Sequence, residues 1–162
     1  MADRKNPDDP HALLRPFTTF NFAVEINVGE ESKDLVSAAF SECDGLEMSL
    51  EVKTIREGGA NDRQIRLNGA VAYGQLTLKR GMTDNFDLWA WFNDSVHDPR
   101  LRAAAEVVVY GVDGTTERAR FQLSRCVPGK VKAPQLNAKD GQIAIEELQI
   151  AYETLKLAPP KT

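Results

Sequence analysis

The chain is poor in the side chains that most often carry chemistry. It holds two cysteines and two histidines in 162 residues. A secreted disulfide scaffold carries more cysteines at closer spacing, so Cys43 and Cys126 read as two reduced, buried thiols. The cysteines and histidines are too scattered for a zinc motif, and His11 and His97 read as solvated surface rings. No serine or cysteine stands near a histidine in the spacing of a nucleophile and its base. Gly58-Gly59-Ala60-Asn61-Asp62 lacks the Gly-Lys-Ser/Thr ending of a phosphate loop and opens no helix. Asp8-Asp9 and Glu30-Glu31 lack the interleaved spacing of a calcium loop. The sequence therefore predicts no enzyme, no metal and no cofactor.

Two further absences narrow the class. The formal net charge is -4, which argues against general nucleic-acid affinity, since that wants a basic face. No apolar run approaches the length of a membrane span. The first 16 residues, MADRKNPDDPHALLRP, contain no apolar core of a signal peptide. The expectation is a product made and kept in the cytoplasm unless a dedicated machine exports it. By composition, residues 1–16 read as an arm without regular structure, 17–158 as one domain and 159–162 as a tail.

What is present is β patterning. Phe20, Phe22, Val24, Ile26 and Val28 alternate with polar residues, the signature of a half-buried strand. Residues 35–42 return as a second strand. Leu46, Met48, Leu50 and Val52 alternate with charge as a third. Val71 to Lys79 makes a fourth, and Val107 to Leu123 a hairpin around Asp113-Gly114. A type I′ turn there would set Val108 opposite Ala119. Valines 107, 108 and 109 place apolar groups on both faces of their strand, which requires cover on both sides. From Ile143 to Tyr152 the apolar phase changes at Glu146-Glu147, where a β-bulge is expected.

Both tryptophans fall in one short stretch, 84–96, that reads as the single helix. Thr83 or Asp84 is placed to cap it. Phe86, Trp89, Phe92 and Val96 recur at helical spacing and are expected to form its core face, widened by Leu88 and Trp91. The total is an antiparallel β-barrel or sandwich of seven to eight strands with one flanking α-helix, a mainly β fold.

The segment 55–69, IREGGANDRQIRLNG, is rich in glycine and charge and reads as a long exposed hairpin or loop. Arg56, Glu57, Asp62, Arg63 and Arg66 give it both signs of charge. Mixed charge suits a contact between copies, acid on one meeting base on the next.

Several motifs in order resemble the tail-tube protein family of contractile phages and contractile injection systems. They are Phe22-Ala-Val, Phe40-Ser-Glu-Cys-Asp-Gly-Leu46, Glu57-Gly-Gly-Ala-Asn61, Leu67-Asn-Gly69, Leu76-Thr-Leu-Lys-Arg-Gly81 with Leu88-Trp-Ala-Trp91, and the run from Glu146-Glu147 to Leu157. Asn68 stands where such proteins often have proline. The resemblance implies the inner tube subunit, a β-barrel or sandwich that forms hexameric rings stacked around a hollow lumen. It implies a surrounding sheath, a baseplate or tube initiator, a cap, and a cargo effector in the lumen. It places Arg56, Glu57, Gly58, Gly59, Asn61, Asp62, Arg63 and Arg66 in the loop that reaches neighbouring subunits. It implies a particle that forms in the cytoplasm and acts after release. A tube initiator at the baseplate would share these features. A cytosolic barrel for a small ligand would instead be a monomer with an apolar cavity.

Overall fold

The computed structural model describes residues 17–29, 33–38, 40–59, 62–139 and 141–160, with the backbone alone for 33–38. The arm expected over residues 1–16 lies outside them, as do residues 161–162 of the tail. The described chain contains the strands β1 (Phe22–Val28), β2 (Lys33–Ala38), β3 (Glu42–Asp44), β4 (Met48–Ile55), β5 (Ile65–Tyr73) and β6 (Gln75–Gly81), then the helix α1 (Asp87–His97). After the helix come β7 (Ala103–Tyr110), β8 (Glu117–Lys132), β9 (Ile145–Ala151) and β10 (Thr154–Ala158). All pairings are antiparallel.

The strands run β2-β1-β7-β8-β9-β6-β3, with β10 also beside β8. The sheet does not close into a barrel. It bends at β8, the longest strand, whose first half pairs β7 and β10 and whose second half pairs β9. The bend falls at Arg125, at φ 53°, the one described non-glycine residue in the left-handed region. β9 and β10 keep one register against β8 across it: Val127 faces Ala151 and Ser124 faces Thr154. The result is two sandwich-like halves that share β8. Val24, Ile26, Leu76, Leu78, Leu88, Trp91, Val107, Leu123, Leu148 and Ile150 fill the space between them.

Ten strands replace the expected seven to eight because residues 35–42 divide between β2 and β3 and residues 71–79 between β5 and β6; β8 also runs on through Arg125 to Lys132. The 107–123 hairpin differs from expectation by one residue: Val108 faces Arg120, and Val107 faces Phe121. Asp113 does not adopt positive φ. Its carboxylate instead accepts the Thr115 and Thr116 N–H groups at 3.4 and 3.2 Å, which holds a longer loop closed by Gly111 N–H to Thr116 O at 2.8 Å. Val107 and Val108 are both buried, on opposite faces, as their patterning requires.

The helix begins three residues later than its composition predicts, and its buried stripe is rotated. Leu88 and Trp91 are each 1% exposed, whereas Phe86 and Val96 are 56% and 64% exposed. Trp89 and Phe92 are half-buried flanks. Phe86 precedes the first helical residue, so its spacing carries no facial information. Neither Thr83 nor Asp84 caps the helix. The Asn85 side-chain oxygen accepts the Asp87 N–H at 2.9 Å, and Thr83 Oγ1 accepts that of Asn85 at 3.3 Å.

The rotation has a polar cause. Trp89 Nε1 donates to Glu146 Oε2 at 3.0 Å, and Arg80 Nε donates to Glu146 Oε1 at 2.5 Å. Arg80 also donates to the Asn85 carbonyl at 2.9 Å, and its guanidinium lies 6.0 Å from the Phe40 ring centroid. Glu146 is thus the first inward residue of β9, and no bulge occurs at Glu146-Glu147: β9 pairs β6 in unbroken register from Gly81–Ile145 to Gln75–Ala151. Ile143 and Ile145 point outward.

Candidate assembly surface

Of the hairpin or loop expected over residues 55–69, the structure forms the hairpin. β4 and β5 form a two-stranded ribbon separate from the main sheet. It is the prolongation of the β3–β6 pair. Asp44 faces Thr77 within the sheet and Met48 faces Tyr73 within the ribbon, at the same offset. Two glycines mark the joint. A Cβ on Gly45, at φ 93°, would stand 1.9 Å from the Gln75 carbonyl oxygen, and one on Gly74 would stand 2.4 Å from Glu47 Cγ. At Gly45 only glycine lets the two backbones approach, whereas at Gly74 a Cβ would displace the Glu47 side chain. The Tyr152 hydroxyl fastens the joint. It accepts the Glu47 N–H at 3.1 Å and lies 2.8 and 3.0 Å from the Gly45 and Glu47 carbonyls, between which its single hydrogen is shared. Its ring tilts against Tyr73, centroids 5.9 Å apart.

Beyond the joint the ribbon carries exposed apolar side chains on both faces. Leu50 faces Val71, then the register shifts at Glu51, so that Lys53 faces Leu67 and Ile55 faces Ile65. The extra residue is on β5, where Gly69 and Ala70 oppose Glu51, and the missing Gly69 side chain leaves room for the Glu51 carbonyl, 2.8 Å from where a Cβ would stand. β4 therefore alternates without a break: Met48, Leu50, Val52 and Val71 share one face, Ile55, Ile65 and Leu67 lie on the other, and all seven are exposed. Apolar area on this scale marks an interaction site. An isolated two-stranded hairpin is also marginal in water without packing.

The predicted interface residues sit at the ribbon's far end. Arg56, Glu57, Gly58 and Gly59 follow β4, Asp62 and Arg63 precede β5, and Arg66 lies within it; all are exposed. Asn61 lies outside the described residues. Gly59 adopts φ 99°, while Gly58 does not take positive φ. Glu57 and Arg63 pair with each other at 2.8 Å, so two of the tip charges are answered within the chain. Composition identified the tip. It missed the apolar side chains of β5 and the joint, because Ile65 and Leu67 sit in a charged stretch and Tyr152 is some 100 positions away in sequence.

The thiols carry no reactivity here. Burial pushes the Cys43 pKa up to about 11, with Asp44 adding to it, and burial pushes Cys126 up to about 12. Both are protonated at neutral pH and poor nucleophiles. His97 Nδ1 lies 2.8 Å from the Asn93 carbonyl one turn back along the helix.

Residues 18–156 match the family model of the T4-like virus tail tube protein gp19. The chain belongs to that family. The fold is similar to a chain in the six-fold symmetrised cryo-EM structure of the anti-feeding prophage baseplate, with a TM-score of 0.79 and 24% identity over 90% of this chain and 97% of that one. It is similar to a chain in the sheath–tube complex of the extracellular contractile injection system PVC in its extended state, with a TM-score of 0.73 and 20% identity over 88% and 91%. A chain in the anti-feeding prophage tube-terminating cap gives a TM-score of 0.76 and 18% identity over 96% and 99%. No protein in the curated comparison matches this sequence. Tail tube proteins of contractile injection systems are structural proteins, and the β-rich fold with one helix is theirs.

Proposed function

We propose that this chain is the inner-tube subunit of a contractile injection system or phage-tail-like particle. It forms hexameric rings that stack into a hollow tube, and it acts as a structural element without enzymatic activity. The observation that carries this reading is the ribbon. Seven exposed apolar side chains on a ribbon standing clear of its own core favour cover by another molecule, and membership of a tail tube family supports further copies of this chain as that cover. The tip residues Arg56, Glu57, Gly58, Gly59, Asn61, Asp62, Arg63 and Arg66 then reach a neighbouring subunit. Each contact is heterologous: around the ring the rotation closes, and along the axis it stays open.

The assembled tube takes a sheath on its outside, a baseplate or initiator at one end and a cap at the other. Its lumen takes a cargo effector. Assembly takes place in the cytoplasm, and the particle works after release. Similarity to a baseplate chain favours one second reading, the tube-initiating subunit.

Electron microscopy of the purified protein over a concentration series tests this. Stacked six-fold rings of indefinite length are expected. Single rings that never stack favour the initiator. A monomer that persists at high concentration refutes both and favours a ligand-binding domain.

A further inference from the structure

Of the asparagines in the sequence, only Asn68 is followed by glycine. The pairing matters because an asparagine side chain can be attacked by the main-chain nitrogen of the next residue, and a Cβ on that residue hinders the approach. Asn21, Asn85 and Asn137 precede Phe22, Phe86 and Ala138. Their amides are also engaged. Asn21 Nδ2 donates to the Gly111 carbonyl at 3.0 Å, while Asn85 and Asn137 accept the Asp87 and Lys139 N–H groups at 2.9 and 3.0 Å. Asn68 is exposed, and its side-chain amide meets no hydrogen-bonding partner among the described residues.

The fold adds a weakness at the same place. Asn68 faces Val52 as the last pair of the ribbon's outer register, and Gly69 with Ala70 then opposes Glu51. A bulge leaves one residue outside the ladder, so regular pairing lapses directly after Asn68. The ribbon is two strands wide and separate from the main sheet. Such a hairpin opens locally at little cost, which frees the Gly69 nitrogen to reach the Asn68 side chain.

We propose that Asn68 is a covalent modification site, deamidated without an enzyme through ring closure by the Gly69 nitrogen. Hydroxide takes the Gly69 N–H proton. The nitrogen bonds to Asn68 Cγ, the Cγ–Nδ2 bond breaks, and ammonia leaves from a five-membered imide. Water then adds to one of the two imide carbonyls. Opening at Cγ gives aspartate, and opening at the main-chain carbon gives isoaspartate; nothing is oxidised or reduced. Either product places a negative charge on the ribbon, beside Arg66. Isoaspartate also adds a carbon to the main chain of β5, already one residue longer than β4 at this point. The outer register, Ile65 to Asn68, then parts from the inner one, Val71 to Tyr73.

The test incubates the full chain at mildly alkaline pH, at a dilution where size-exclusion chromatography finds monomer, with a parallel sample in denaturant. Cleavage after Arg66 and Lys79 releases the peptide 67–79, whose one asparagine is Asn68 and which holds no aspartate. Mass spectrometry follows its conversion from amide to acid, and labelling by an isoaspartate methyltransferase follows the isomer. Both signals are expected in this peptide before any other asparagine-containing peptide. The folded rate is expected to lie within about tenfold of the rate in denaturant, because the ribbon opens so readily. Asn68→Gln, whose imide would be a six-membered ring, is expected to lose both signals while keeping the wild-type melt.

An unchanged 67–79 peptide while other asparagines react overturns the site. So does a rate that folding lowers by more than about tenfold, since the bulge then gives no opening. The reaction needs a single chain only, so its failure leaves the assembly reading standing, and a chain that never assembles leaves this site standing.

Discussion

Arg80 and Glu146 meet at 2.5 Å with their side chains only 4% and 2% exposed, beneath the helix that carries both tryptophans. The pair links β6 to β9, and Trp89 and the Asn85 carbonyl complete its hydrogen bonds. Removing one partner of a buried pair strands a charge. Arg80→Met is expected to cost about 3–5 kcal/mol of unfolding free energy in a denaturant melt. The double variant Arg80→Met/Glu146→Met is expected to lose less than the two single losses added together, because no charge remains to be stranded.

The helix offers a contrast between a buried and an exposed side chain. Trp91→Ala is expected to destabilise by about 3–5 kcal/mol, since the ring lies within the core. Val96→Ala should fall within about 0.5 kcal/mol, because that side chain already meets solvent. Thermal melts of the two variants compare them directly.

The ribbon joint gives a local effect. Tyr152→Phe keeps the ring against Tyr73 and removes the hydroxyl that serves Gly45 and Glu47. A loss of about 1–3 kcal/mol is expected. Limited proteolysis should cut faster between Met48 and Tyr73 than in wild type. Gly45→Ala drives a methyl into the Gln75 carbonyl and should prevent the joint from forming, whereas Gly58→Ala, with nothing within 4 Å of its added carbon, should leave the monomer's melt unchanged.

Acid reports on the 111–116 loop. Hydrogen bonds from the Thr116 hydroxyl and N–H, then those from Thr115, hold the exposed Asp113 carboxyl at a pKa of about 2, below its ordinary 3.8. A carboxyl lowered on folding contributes stability that is fully present above pH 3.8 and is lost as pH falls through 2. Asp113→Ala should therefore flatten the stability-versus-pH curve between pH 4 and 2 and leave its slope near neutrality unchanged. Chemical denaturation at a series of pH values reads this.

Much of the fold is legible in the residues. Alternation over Val24 to Val28, Leu76 to Leu78 and Leu148 to Tyr152 places those strands and their inward faces. What the sequence hides has two physical sources. One is polar burial: Glu146 scores as a solvent residue until Arg80 and Trp89 are brought to it, and that pairing turns the helix face. The other is local side-chain bonding: Asp113 recruits two threonine N–H groups, lengthens a turn that Asp-Gly would make short, and moves the register by one. At the candidate site, glycine and mixed charge reveal the ribbon's tip. The apolar side chains of β5 are concealed because the extra residue at Gly69-Ala70 changes phase in mid-strand, so that Val71 and Leu67, four positions apart, lie on opposite faces.

β8 and the β9–β10 strand pass the Arg125 bend in step, without losing count of their pairing. The two halves of the molecule are consequently not separate slabs held by oily contact. A push on one is handed to the other through continuous main chain, with a whole row of amide bonds sharing the strain at once. To part the halves, that row must slide lengthwise as a unit, a far stiffer response than peeling bonds away singly, and one suited to a body that must move as a rigid piece.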